Sequence, residues 1–197
     1  MADPDSRTDR ASRGEGGLAY SDNISIAWRP ITHALDQTHL ARVNASNEEF
    51  LRAVSVIGDA GGQHQKEPPE SMGLVGQEIA RLDLKVNLLL DLVGTLVYHT
   101  LDIPDTSPVR VSSAGVAWRG DVPAPGSTVY LELYIQRGLP KPLCCYGEVV
   151  STQEEYAAGK ARVRFKGLTG AALSWLEKLI FRHHRREVAY RRSATRS

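Results

Sequence analysis

"SMGLVGQEIARLDLKVNLLLDLVGTLV", residues 71–97, is the most apolar stretch of the chain. Whether it crosses a membrane, fills a core or joins copies decides the architecture. A spanning helix needs about 20 consecutive, largely apolar residues, and Glu78, Arg81, Asp83, Lys85 and Asp91 interrupt the run at intervals that leave no such window. Membrane insertion is therefore not expected. The apolar positions advance instead by threes and fours, with Met72, Ile79, Val86 and Val93 at a and Val75, Leu82, Leu89 and Leu96 at d of four successive heptads. β-branched residues at a with leucine at d suit a parallel pair. Leu90 and Val97 at e and Leu92 at g widen the apolar face, however, and Glu78 at g would meet Asp83 at e as a like charge in that pair. The pattern predicts a homo-oligomer, a tetramer in preference to a dimer. A second line, Leu84, Leu88 and Leu92, lies on another face and calls for a second cover.

One source of that cover is predicted upstream. From about Ala34 to Gly58 the chain repeats Leu40, Val43, Asn47, Phe50, Val54 and Ile57 at three-four spacing, with Gly58 and Gly61-Gly62 as stop signals. The linker GGQHQKEPPES would let this helix fold back, so residues 33–100 are read as a helical hairpin with an oligomerisation seam. Asn47 falls on the seam, read equally as a buried amide that fixes register or as an exposed amide at a frayed edge. Each apolar side chain buried in such a seam contributes roughly 1.5 to 3 kcal/mol, so the monomer should be rare.

Composition sets the outer bounds. With 197 residues, 42% of them hydrophobic, 24% charged and a net charge of +1, the chain is an ordinary globular one without a global field to attract nucleic acid. Its two cysteines, Cys144 and Cys145, are adjacent, and neighbours on a strand point to opposite faces, so no disulfide framework is indicated. They read as reduced thiols of a cytoplasmic protein. Residues 1–20 open polar, charged and glycine-rich and are read as a disordered tail with no signal peptide.

After His99 the period changes. LDIPDTSP is a linker, and then Val129, Leu131, Leu133 and Ile135 alternate with Tyr130, Glu132 and Tyr134, while Ala161, Val163 and Phe165 alternate with Arg162, Arg164 and Lys166. Together with 109–112, 116–118 and 143–151 this gives five short strands at hairpin spacing, read as a small antiparallel barrel. A last helix is predicted from the N-cap Thr169, with Ala172, Trp175, Leu176 and Leu179 along one stripe and Leu173 and Ile180 beside it, closing one end of the barrel. Its end, FRHHRREVAYRR, places cations where the helix dipole favours them; residues 191–197 are read as a basic tail. His183 and His184 point about 100° apart on a helix and cannot chelate one metal. The remaining histidines have no ligand spacing, so no metal site is expected. No GxSxG, HExxH or phosphate loop occurs, and an enzyme is not expected.

The run "VRVSSAGVAW", "PGSTVYLELYI", "CCYGEVVS", "ARVRFKGL" and "LSWLEKLIF" resembles the PilZ domain family over roughly residues 106–190. The resemblance implies an α+β protein built on a six-stranded antiparallel barrel with a C-terminal helix, linked in bacteria to cyclic di-GMP signalling, motility, pili, biofilm and virulence. The sixth strand is then expected within 21–32, where Ile24, Ile26 and Trp28 alternate in "NISIAW", with the two long helices inserted after it.

The family's nucleotide motifs are an RxxxR pair ahead of the barrel and an acidic-or-Asn, x, Ser, x, x, Gly run. Ser112 and Gly115 match the latter, but Arg110 stands at its first position, and a guanidinium offers only donors where a guanine edge needs an acceptor. Arg7, Arg10 and Arg13 are three apart, Arg29 stands alone, and Arg182 and Arg186 have the spacing but lie on the last helix. The expectation is a non-enzymatic oligomeric adaptor for unidentified signalling or motility proteins, without a cofactor and without the usual mode of cyclic di-GMP binding. The alternative is a cyclic di-GMP effector that holds phosphates through Arg110, Arg119 or the C-terminal arginines.

Overall fold

The computed structural model describes residues 17–33, 36–63, 74–101, 103–136 and 139–194. The elements run β1 (Ala19–Pro30), α1 (Gln37–Gln63), α2 (Leu74–Thr100), β2 (Thr106–Ser112), β3 (Gly115–Arg119), β4 (Thr128–Tyr134), β5 (Leu143–Val149), α3 (Gln153–Ala157), β6 (Lys160–Lys166) and α4 (Gly170–Ala194). The six strands close in the order β1-β2-β3-β6-β5-β4, every pair antiparallel.

Closure depends on the length of β1. Its first half pairs with β2 from Ala19↔Ser112 to Ser25↔Thr106, and its second half pairs with β4 from Ser25↔Tyr134 to Pro30↔Val129. Ser25 is thus the residue at which one strand passes between the two neighbours. Period-two alternation points Val109, Val111, Val116, Trp118, Val129, Leu131, Leu133, Leu143, Cys145, Val149, Ala161 and Val163 into the core. Two glycines let the wall close tightly. A Cβ on Gly115 would run into the Val163 carbonyl, and one on Gly147 into the Val163 side chain.

Helix α1 starts at an Asp36 N-cap, whose carboxylate accepts from Thr38 N at 3.1 Å and His39 N at 3.3 Å. It runs through Gly58, Gly61 and Gly62, which were expected to stop it. Its apolar stripe does not cover α2. Phe50, Leu51 and Val54 join the barrel core together with Leu176, Leu179 and Ile180 of α4, and α1 packs on α4 and on β5. The expected hairpin seam is corrected accordingly: the three-four pattern marked a buried face but not what buries it.

Helix α4 begins where expected, with Thr169 Oγ1 accepting from Ala172 N at 3.1 Å. It packs on α1, β1 and β2. The short α3 was not anticipated, although Thr152 and Glu155 form a complete capping box. No described element packs along α2, and no helix is long and apolar enough to cross a membrane among the described residues.

Candidate functional site

Arg110, Ser112 and Gly115 lie together at the β2–β3 hairpin. Ser112 Oγ donates to Gly115 O at 3.0 Å and accepts from Gly115 N at 3.1 Å, so the hydroxyl closes its own turn. Gly115 meets the β6 backbone too closely for a side chain. Both motif residues therefore have a sufficient structural role here. Arg110 is exposed on β2, between Ser21 of β1 and Ala117 of β3.

The heptad residues present a different geometry. Val75 is 74% exposed, Leu89 61%, Leu96 66% and Val86 51%, and Ile79, Leu82 and Val93 are equally open. Leu84, Leu88, Leu90 and Leu92 are exposed as well, so the helix is uncovered on its second face too. Met72 lies outside the described residues. A contiguous apolar surface of this kind marks a site of interaction more than a solvated face.

Asn44 and Asn47, buried on α1, turn out to be clamps. Asn47 Nδ2 donates to Cys144 O at 2.6 Å and its Oδ1 accepts from Cys144 N at 3.1 Å, so the amide pairs with β5 just past the end of β6, as a strand residue would. Asn44 donates to Gly167 O at 2.8 Å and accepts from Thr169 N at 3.0 Å, bracing the β6–α4 turn. The register role expected for Asn47 is replaced by this one. Asn44 carried no sequence signal beyond its place four residues after Leu40.

Aromatic packing extends the contact. His39 meets Tyr146 edge-on, Tyr146 meets Tyr130 at 5.0 Å, and the Arg29 guanidinium lies over the Tyr130 ring at 4.6 Å. The cysteines point to opposite faces, Cys145 into the core and Cys144 outward, both as free thiols. Burial pushes both thiols up, with Glu132 adding to the effect at Cys144 against the Tyr130 hydrogen bond, so neither is an activated nucleophile. Among the described residues no three His, Cys, Asp or Glu side chains are grouped to hold a metal ion.

On α4, Arg182 donates to Val54 O, Ser55 O and Ser55 Oγ, tying the helix to α1. His183 stacks on Tyr20 with 4.3 Å between ring centroids. Burial, then Arg186 and Arg182, hold its pKa low against the opposing pull of Asp22. The RxxxR spacing on α4 therefore contributes to internal packing at its first arginine.

A closed six-stranded antiparallel barrel with a C-terminal helix and an inserted helical arm defines a PilZ-type protein. A family model described as "Atypical PilZ domain, cyclic di-GMP receptor" matches residues 51–193, and the chain belongs to that family. It is also similar to a crystal structure of a pathogenic protein from Xanthomonas campestris, described as a new tetrameric PilZ domain self-assembled via an unusual helical bundle. The TM-score is 0.66 at 21% identity over 93% of this chain and 97% of that one. No curated protein matches the chain.

Proposed function

We propose that this protein is a non-enzymatic, cytoplasmic PilZ adaptor that acts as a homotetramer, with four α2 helices in a bundle and the barrels displayed around it to signalling or motility proteins. One observation carries the reading: the a and d residues from Val75 to Leu96 form an unbroken apolar ridge that no described element of the subunit covers. Burying each of these side chains would contribute roughly 1.5 to 3 kcal/mol. The tetramer described for the Xanthomonas campestris protein, self-assembled through a helical bundle, supports the same use of the helical arm here.

Light scattering at micromolar concentration tests it. The expected mass is about four times that of the 21.6 kDa chain, and a single-chain mass would refute the proposal.

The family description favours a second reading, a cyclic di-GMP effector. Arg110 argues against base recognition at the usual place, because it supplies donors where an acceptor is needed. Calorimetric titration of cyclic di-GMP separates the two readings. No binding heat is expected from the adaptor; saturable micromolar binding would establish the effector.

A further inference from the structure

The 24 Lys and Arg and 23 Asp and Glu of the chain nearly cancel, but the barrel does not share its charges evenly. β2, β3 and β6 are neighbours in the wall and carry Arg110, Arg119, Lys160, Arg162, Arg164 and Lys166, with no carboxylate among their residues. The other half of the wall, β5, β4 and β1, carries Glu148, Glu132, Asp22 and Arg29. The cylinder is thus electrostatically two-sided. Alternation on β6 turns Ala161 and Val163 inward and sends the four cations out.

Register arranges these cations around a lane. Arg110 and Arg162 both pair with Ala117, from opposite sides, and Arg164 pairs with Gly115. On the outer face of β3 the small Gly115, itself buried, and Ala117 precede Arg119, so these two lie between cations of β2 and β6 about 10 Å apart, two strand spacings. Arg162 is held at 3.1 Å by Glu155, whose carboxylate also accepts from Thr152 N, and Lys166 at 3.0 Å by Glu148, in partly exposed pairs of the kind that contribute little. Arg110, Arg119 and Lys160 make no ion pair among the described residues. Among the described elements α1 packs on β5, α4 on β1 and β2, and the short α3 beside β6, while no helix packs on β3.

A closed barrel offers no open edge, so a partner cannot join it as an added strand and must be read through side chains on the face. Outward residues of β6 recur about every 7 Å, and carboxylates at alternate positions of an extended peptide recur at the same interval. We propose that the β2–β3–β6 face docks an extended acidic segment of a partner protein, lying along the lane over Gly115 and Ala117 with alternate carboxylates paired to Arg110, Arg162 and Arg164. The inference is independent of the assembly proposed above, since each barrel carries the whole face.

The probe is a fluorescent peptide of alternating glutamate and threonine, titrated into the full chain and read by anisotropy. Saturable binding is expected, weakened by added salt and reduced at least about tenfold by Arg110→Glu combined with Arg164→Glu. Arg162→Glu carries the same expectation should the first pair perturb the fold, and Lys178→Glu on α4 should change nothing. Unaltered affinity in either charge-reversed protein would overturn the proposal. So would equal binding of a peptide with its glutamates in one block, preference for vesicles of anionic phospholipid over the peptide, or displacement of the peptide by stoichiometric cyclic di-GMP.

Discussion

Asn47 holds two backbone groups of Cys144 at once, where β6 no longer reaches β5. Replacing it with alanine deletes both bonds and leaves a buried N–H and C=O unpaired. A loss of about 2 to 4 kcal/mol is expected, read as a lower urea midpoint. Tyr20 gives the opposite case: its hydroxyl is buried with no partner among the described residues. Tyr20→Phe removes a group whose desolvation is uncompensated, so the melting temperature should hold or rise, and a fall of several degrees would show that the hydroxyl has a partner after all. The ring stacked on Tyr20 supplies a pH dependence. His183 is held below its ordinary pKa of about 6.5, so the unfolded chain binds its proton more readily than the folded one. Stability is then full above the unfolded value, falls as pH drops from there toward the depressed one, and levels off below it. His183→Gln should flatten that slope in melting curves taken between mildly acidic and mildly basic pH.

At the scale of elements, what the sequence revealed and what it hid have separate causes. Strand alternation is a local property, and five barrel strands were legible because each needs only its own inner and outer residues to be recognised, whereas the sixth, ahead of the helices, was placed only through the family resemblance. Thr169 was equally plain as a cap, because its partner, Ala172 N, is three residues away. The partner of α1 was not legible. Phe50 and Val54 announce a buried face, yet helical periodicity is the same whether a face meets another helix or a barrel. Asn44 and Asn47 settle the matter only through bonds to residues more than ninety positions away. The basic half of the barrel was hidden for the same reason, since Arg110, Arg119 and the cations of β6 become neighbours only through the order β2-β3-β6. Gly115 shows how a motif match can mislead. It fits a ligand pattern, while its observed constraint is the β6 backbone, so Gly115→Ala should destabilise by about 1 to 3 kcal/mol in urea melts even where no nucleotide binds.

For the whole molecule, the proposed division of labour between barrel and arm makes assembly and folding separable. The core joins the six strands to α1 and α4 without any residue of α2, so the subunit's own stability does not rest on the arm. The proposed association through α2 would add to it by mass action, because a bundle that binds only folded chains raises the melting temperature with protein concentration. Val86→Asp with Leu89→Asp places two carboxylates on adjacent levels of the ridge, where burial would cost several kcal/mol per charge against the roughly 1.5 to 3 kcal/mol lost with each apolar side chain. The variant should elute and scatter as a single chain, retain the β signature and the near-ultraviolet signal of Trp118 in circular dichroism, and melt at a temperature that no longer depends on concentration. If the double substitution instead unfolds the barrel, α2 is part of its core and the arm cannot be a separate assembly device. An unchanged mass would place the joining surface somewhere other than the heptad ridge.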